Sequence, residues 1–225
     1  MNPVDAVRLE RQPKPLRTTY RGIRFRSRTE ARWAVFFDAL KVRWEYEKEA
    51  YELPVGPYLP DFWLPVLGIW VEVKGDPFAL DKTLMDDAVN IKSGLPGSDP
   101  FLEKSVLILG DIPPCDEPLG YMHWMVHRTT SASPEGYCAC WEARWSQVTL
   151  QTFPAAAFAE FKKGEPDVES PGILITQIGR STFRPPADVV TPRRCSYLLA
   201  DRKMLDAFRA ARSARFEHGE KPTAA

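Results

Sequence analysis

Apolar residues in the first half of the chain follow two spacings, one typical of helices and one typical of strands. Between residues 33 and 40 they recur three or four positions apart, which predicts a helix from Ser27 to about Leu40. Alternation of apolar and polar residues then predicts three strands, at 42–53 with a bend or split near Lys48, at 58–64 and at 69–74. A second amphipathic helix at 80–92 and a buried strand at 105–109 follow.

The second half of the chain carries weaker patterns. Strands are predicted at 121–127, 137–145 and 173–178, and a helix is predicted at 154–163 after its opening proline. A long helix is predicted at 196–218, where Gly219 supplies a typical stop. The order of elements predicts an α/β core up to about residue 110, followed by an appended α+β region.

Two carboxylates and a lysine lie on either side of a tight turn at 65–68. If the hairpin closes symmetrically there, Asp61 faces Glu72, and Lys74 lies one pleat further along the same face. Directly opposed residues hold their β-carbons about 4.5–5.5 Å apart, and like charges at that distance destabilise a hairpin. A divalent cation would remove the repulsion, and hard carboxylate oxygens suit Mg²⁺ or Mn²⁺. The Lys74 ammonium could then orient a water molecule or offset charge on a phosphate.

Two structural explanations compete with this chemistry. Glu72 and Lys74 could form an ordinary ion pair on the solvated face of a surface hairpin. Glu30 could complete a capping box, because Ser27-Arg28-Thr29-Glu30 has the spacing in which an acidic side chain bonds back to the N-cap amide.

Composition places the chain among ordinary globular proteins. Of its 225 residues, 44% are hydrophobic and 27% are charged, and the formal net charge is zero. No apolar run approaches the roughly 18 residues that a membrane-spanning helix needs, and the N-terminal residues lack a secretory pattern. A cytoplasmic protein without a membrane partner is therefore expected.

Positive charge is concentrated at the N-terminus although the net charge is zero. Residues 1–32 carry a net charge of +6 and the remainder carries −6. The proline-containing stretch at 1–19 is predicted to be an extended basic arm, which binds phosphates or is a solvated tail. The basic residues of the first 32 positions are Arg8, Arg11, Lys14, Arg17, Arg21, Arg24, Arg26, Arg28 and Arg32.

The element order and these residues together resemble the PD-(D/E)XK nuclease superfamily. The matching positions are Tyr20-Arg21-Gly22, Phe25-Arg26-Ser27, Glu30, Trp44-Glu45-Tyr46-Glu47, Tyr58-Leu59-Pro60-Asp61-Phe62 and Glu72-Val73-Lys74-Gly75. They look like the branch that contains the DNA-cleaving subunit of heteromeric transposases and small phage-encoded endonucleases. The resemblance implies a restriction-endonuclease-like αβββαβ core with a mixed sheet at 20–110, between the arm at 1–19 and the appended region at 111–225. The host cytoplasm of a phage-infected bacterium is a compatible location.

The resemblance also implies roles for individual residues. Asp61 and Glu72 would bind Mg²⁺, for which Mn²⁺ substitutes, and the Val73 carbonyl would be a further ligand. Lys74 would position the attacking water, and Glu30 would complete the metal site or bind a second ion. The substrate would be DNA, held by the basic residues Arg17, Arg21, Arg24, Arg26 and Arg28.

Several other interpretations stay open from the sequence alone. The main rival is a non-catalytic nucleic-acid-binding or assembly module that keeps the nuclease fold, and a homodimer or a targeting protein partner is compatible with either function. The cysteines and histidines around Cys138 and Cys140 match no usual zinc spacing, which favours buried thiols over a metal site. Basic residues at 202–215 form either a phosphate-binding stripe or a salt-bridged solvent face.

Overall fold

A computed structural model of the protein describes residues 17–74, 80–90, 92–97, 103–114, 119–133, 136–139, 144–152, 173–177, 193–199 and 202–216. Within these ranges the helices are α1 (Arg28–Ala39), α2 (Lys82–Ala88) and α3 (Arg202–Ser213). The strands are β1 (Thr18–Tyr20), β2 (Ile23–Phe25), β3 (Glu45–Tyr46), β4 (Tyr51–Leu53), β5 (Gly56–Tyr58), β6 (Phe62–Leu64), β7 (Ile69–Val73), β8 (Glu103–Leu109), β9 (Leu119–Ser133), β10 (Gly136–Ala139), β11 (Arg144–Thr152), β12 (Ile173–Gln177) and β13 (Arg193–Leu199).

A two-residue turn joins β1 to β2 and aims the chain towards α1. Arg21 and Gly22 form this turn with φ values of 50° and 81°, as a type I′ turn requires. After the turn, Phe25 is fully buried in the core, and Arg26 leads into the first helix. The hairpin therefore fixes the position of Arg26 relative to the start of α1.

Helix α1 is bounded by local signals at both ends. The Oγ of Ser27 accepts a hydrogen bond from the Glu30 N–H at 3.2 Å, which caps the start. At the end, the Val42 N–H donates to the Phe37 carbonyl at 2.8 Å. Lys41 adopts a φ of 57° there, so the helix ends in a Schellman motif without the usual glycine. The predicted bounds of this helix are confirmed.

Nine of the described strands form one mixed sheet. Seven follow the order β12-β11-β9-β8-β7-β6-β3, and β10 and β13 also pair with β9. β7 and β8 are parallel, whereas the other pairs in this sheet are antiparallel. A parallel pair needs a long crossover connection. Here the connection between β7 and β8 includes α2. The expected α/β class and mixed sheet are confirmed.

The hairpin of β6 and β7 has the predicted register. Trp63 pairs with Trp70, and Leu64 pairs with Ile69. This register brings Asp61, the residue before β6, to the carboxyl end of β7.

Both faces of the sheet are covered, so the hairpin is not a solvated surface element. One face packs against α1 and α3, and the other packs against α2 and the β4–β5 hairpin. All five residues of β7 are buried, and Glu72 is 4% exposed. The explanation of Glu72 and Lys74 as a pair on a solvated face is therefore wrong, because this face of the sheet lies under a second core.

The region after residue 110 completes the same sheet and core. β9 pairs with β8, and α3 packs on α1. The rings of Phe36 and Phe208 stack with their centroids 4.7 Å apart. The predicted boundary near residue 110 therefore lies inside a continuous core.

The predicted helix at 196–218 is wrong at both ends. Residues 196–199 belong to β13, which pairs with β9, and α3 spans Arg202–Ser213. Pairing with a strand that is distant in the sequence overrides local helical spacing.

The other predicted elements that fall on described residues are confirmed with shifted bounds, except the single strand predicted at 137–145, whose described residues belong to two strands, β10 and β11. The strand at 42–53 is split near Lys48 into β3 and β4, the strand at 58–64 is divided between β5 and β6, and the helix at 80–92 shortens to α2. Residues 18 and 19 of the predicted arm belong to β1. Residues 1–16 of that arm and the predicted helix at 154–163 lie outside the described residues.

In the parts of the chain that the structure describes, no helix has the length and apolar character needed to cross a membrane.

Candidate active site

The three predicted carboxylates meet where β7 ends, β6 begins and α1 starts. Asp61 is 2% exposed, Glu72 is 4% exposed and Glu30 is 6% exposed. Buried carboxylates are rare unless they are paired or hydrogen-bonded, so each needs identifiable partners.

Asp61 is held by one backbone donor and one side-chain cation. Its Oδ2 accepts a hydrogen bond from the Val73 N–H at 2.7 Å, which ties the carboxylate to the end of β7. Its Oδ1 lies 2.5 Å from Nη2 of Arg26. The hairpin register therefore delivers Asp61 to β7, and the residue before the α1 cap supplies its counter-charge.

Glu72 is held by a tyrosine and by the predicted lysine. The Tyr58 hydroxyl donates to Oε2 of Glu72 at 2.7 Å in a buried hydrogen bond. The Lys74 ammonium lies 2.7 Å from Oε1. The structure thus brings Lys74, the residue after β7, to Glu72, as its position two residues further along the chain predicts.

Glu30 takes part in the helix cap and also faces the other acids. Ser27 Oγ donates to Oε1 of Glu30 at 2.7 Å, whereas Oε2 accepts from the Tyr46 hydroxyl at 2.6 Å and from the Arg26 N–H at 3.0 Å. The backbone amide that donates to the Glu30 carboxylate is that of Arg26, one residue before the N-cap. The cap therefore orients Glu30 towards the site.

Burial and electrostatic repulsion act on the pKa of Asp61 and of the groups beside it. Burial and then the negative charges of Glu72 and Glu30 raise the pKa of Asp61 well above its usual value, although the Val73 N–H and Arg26 oppose this. Burial and then the charge of Glu72 raise the pKa of Tyr58. Burial is the largest single effect on the pKa of Lys74 and lowers it, but the charge and hydrogen bond of Glu72 together with the charge of Asp61 outweigh burial, so the net shift is upward. Lys74 therefore remains a cation at neutral pH.

The chemistry of this donor set fits a hard divalent cation such as Mg²⁺ or Mn²⁺. Both oxygens of each carboxylate already accept a hydrogen bond or ion pair from the protein. Accordingly, no three acidic, histidine or cysteine side chains among the described residues converge on one point that could hold an ion. The charged groups of Arg26 and Lys74 occupy oxygens that such an ion would use. An ion could therefore bind these oxygens only after at least one of the two side chains moves.

Three contributors to the site were not predicted in these roles. Tyr46 and Tyr58 each donate a hydroxyl to one carboxylate, and Glu47 pairs with Nε of Arg26 at 2.7 Å. Tyr46 and Glu47 belong to the segment Trp44-Glu45-Tyr46-Glu47, and Tyr58 opens the segment that contains Asp61. Their place in these segments was the available signal, but the sequence alone does not indicate which carboxylate each would contact.

The predicted phosphate-binding arginines occupy different environments. Arg17 and Arg24 are exposed. Arg21 pairs with Asp38 at 2.8 Å, and Arg28 is half-buried and engaged in an interaction. The Arg26 side chain is partly exposed to solvent, but its guanidinium contacts Asp61 in the acidic site.

The basic residues of α3 form partly paired contacts. Asp206 pairs with both Arg202 and Arg209, and Nη1 of Arg212 donates to the Ile112 carbonyl at 2.9 Å. These contacts favour the salt-bridged face over a phosphate-binding stripe.

The predicted alternative of a zinc site gains no support from the described residues. Cys115 and Cys140 lie outside the described residues, whereas Cys138 lies on β10 and Cys195 lies on β13. His123 is buried against the edge of the Trp33 ring, with centroids 5.6 Å apart.

We expect His123 to make the protein sensitive to acid. Burial lowers the pKa of its ring to about 3, and neither ring nitrogen has a hydrogen-bond partner among the described residues. In the unfolded chain the pKa returns to roughly 6.5. As the pH falls from about 6.5 towards 3, the unfolded state gains a proton that the folded state does not, so stability is lost. His123→Leu should flatten this dependence by up to about 2.7 kcal/mol at pH 4.5.

The measurement is urea unfolding of both proteins between pH 4.5 and 7.5. At pH 7.5 the ring is neutral in both states, so the comparison at that pH gives the packing effect of leucine by itself. Parallel stability curves over the whole range would show that the His123 ring is hydrated in the folded protein.

Comparison of the chain with protein-family models, with curated proteins and with solved structures finds no match in any of the three.

Proposed function

We propose that the protein is a metal-dependent endonuclease that hydrolyses phosphodiester bonds in DNA. The observation that carries this proposal is the buried group of Asp61, Glu72 and Glu30, with Lys74 ion-paired to Glu72. Burial and then the charges of the other two acids raise the pKa of Asp61, so the group is costly for stability, and a function that needs a divalent cation explains its presence. The resemblance of the surrounding motifs to PD-(D/E)XK nucleases, with their restriction-endonuclease-like core, gives the same assignment.

Asp61, Glu72, Glu30 and the Val73 carbonyl would hold Mg²⁺ or Mn²⁺. When bound, the ion would supply activation of the attacking water and neutralisation of charge on the phosphate. The Val73 N–H keeps Asp61 fixed on β7, and Tyr58 keeps Glu72 in place. These rigid contacts preorganise the acids for a ligand.

Lys74 would orient the attacking water and face the developing negative charge on the phosphate. Its ammonium has three donors, so it can stay near Glu72 while it donates to a second oxygen. Because Lys74 remains protonated at neutral pH, it acts as a positioning and electrostatic group rather than as the base.

Cleavage of a panel of labelled DNAs tests the proposal. Duplex, nicked, flapped, junction and single-stranded DNAs are incubated with the protein in Mg²⁺, Mn²⁺ or EDTA. We expect cleavage of at least one of them with metal, none in EDTA, and none with Glu72→Gln. DNA binding without cleavage of any of them would favour the non-catalytic nucleic-acid-binding module instead.

Deletion of residues 1–16 should weaken the salt dependence of DNA binding. The cut preserves Thr18, which is buried in β1, and removes Arg8, Arg11 and Lys14. If these three side chains contact phosphates, the slope of log affinity against log salt should fall by up to about 2.7 units for duplex DNA. Fluorescence anisotropy over a salt series measures the slope, and an unchanged value would mean that the arm does not touch DNA.

A further inference from the structure

Arg26 contacts three carboxylates, although its sequence position suggested a role on the DNA backbone. Its Nη2 lies 2.5 Å from Asp61 Oδ1, and its Nε lies 2.7 Å from Glu47 Oε1. Its backbone N–H donates to Glu30 Oε2 at 3.0 Å. The Arg26 guanidinium is therefore the counter-charge of Asp61, as Lys74 is of Glu72.

Of the two carboxylate oxygens of Asp61, Oδ1 is the one whose contact with the protein can be broken more easily. Asp61 Oδ2 is bound to the Val73 N–H, which belongs to the backbone of β7 and is fixed by the sheet. Among the described residues, the partner of Asp61 Oδ1 is a side chain, and 52% of this Arg26 side chain is exposed. Arg26 can therefore leave Asp61 by rotating towards solvent without breaking the fold.

A phosphate offers Arg26 an alternative partner of the right shape. The planar guanidinium binds a phosphate through two parallel hydrogen bonds as well as it binds a carboxylate. A divalent cation at Asp61 would repel the guanidinium and compete with it for the same oxygen. Repulsion by a metal at the acids would release Arg26, and phosphate beside them would then hold it in the displaced position.

We propose that Arg26 is a positioning residue that closes the acidic site and moves to a DNA phosphate when a divalent cation takes its place on Asp61. This inference rests on the proposed nuclease function. It makes metal binding and DNA binding mutually reinforcing, because any coupling between two ligands acts equally in both directions.

Binding of Mn²⁺ to the full chain without DNA tests the competition. Isothermal titration should show that Arg26→Gln binds Mn²⁺ at least about tenfold more tightly than the wild type, since a charge-assisted contact no longer has to break. Arg26→Lys, which keeps one positive charge without the planar fork, should fall between them. Arg24→Gln, an exposed arginine on β2, serves as the matched control and should leave the affinity for Mn²⁺ unchanged.

DNA affinity provides a second measurement that does not depend on cleavage. In EDTA, Arg26→Gln should bind a short duplex as well as the wild type does, because Arg26 then remains on Asp61. Arg24→Gln should bind the duplex more weakly. Reduced DNA affinity of Arg26→Gln in EDTA would show that Arg26 already contacts phosphate without metal, and would overturn the inference.

The outcomes separate this inference from the nuclease function itself. Equal or weaker Mn²⁺ binding by a folded Arg26→Gln, with metal-dependent cleavage by the wild type intact, would overturn only the role of Arg26. Absence of Mn²⁺ binding in the wild type and in both Arg26 variants, together with absence of cleavage, would overturn the metal site and this inference with it.

Discussion

Lys74→Ala should reduce metal-dependent DNA cleavage by at least about 10²-fold, the usual effect of removing one preorganised transition-state donor. The ammonium lies 2.7 Å from Oε1 of Glu72, one of the three site acids. DNA affinity should change little, because one ammonium is a small share of the phosphate contacts. Single-turnover cleavage and fluorescence anisotropy measure the two quantities separately.

Lys48→Ala is the matched control for this substitution. Lys48 pairs with Glu45 at 3.2 Å on the surface, so its loss should leave the cleavage rate nearly unchanged. Thermal unfolding of both variants excludes loss of the fold as the cause. A folded Lys74→Ala protein that cleaves at the wild-type rate would remove Lys74 from the mechanism.

Asp61→Asn should have opposite effects on stability and on activity. It removes a buried charge that Glu72 and Glu30 repel, and the amide oxygen can still accept the Val73 N–H. In EDTA the variant should therefore be more stable, by roughly 0.5–1 kcal/mol on the scale of cross-strand pairs. Cleavage should be abolished, and the rise in melting temperature caused by Mn²⁺ should nearly vanish, because a ligand stabilises only a fold that binds it.

Asp38→Asn separates this effect from the general loss of a carboxylate. Asp38 accepts hydrogen bonds from Tyr20, Arg21 and Trp44, so the variant should be less stable in EDTA and should keep the Mn²⁺ response. Melting temperatures of the three proteins with EDTA and with titrated Mn²⁺ decide the matter. An Asp61→Asn protein with the full Mn²⁺ response would exclude Asp61 from the metal site.

Local patterns were sufficient to predict the parts of the fold that depend on local interactions. The turn at 65–68 fixes the register of β6 and β7, so the meeting of Asp61 with β7 follows from alternation alone. Ser27 likewise marks the start of α1. Residues 196–199 were assigned wrongly because their partner, β9, is remote in the sequence and its pairing leaves no local pattern.

The composition of the site was predictable only in part, for a related reason. The acids and Lys74 come from short, recognisable segments. The partners of the acids are set by tertiary packing, because Tyr58 reaches Glu72 through the β4–β5 hairpin and Arg26 reaches Asp61 from the β1–β2 hairpin. The basic segment contains several arginines, and the sequence does not indicate which of them turns towards the interior.

The packing of α3 on α1 also has a consequence for how the chain folds. The helix that carries Glu30 buries Trp33 and Phe36 partly against Phe208, which is synthesised long after them. Closing so long a loop is entropically costly and slow, so the faces of these rings that contact Phe208 stay uncovered on a nascent chain until α3 has left the ribosome. The packing around the helix that carries Glu30 would then be completed late in synthesis. A chain interrupted before α3 would expose an aromatic surface that is prone to aggregation.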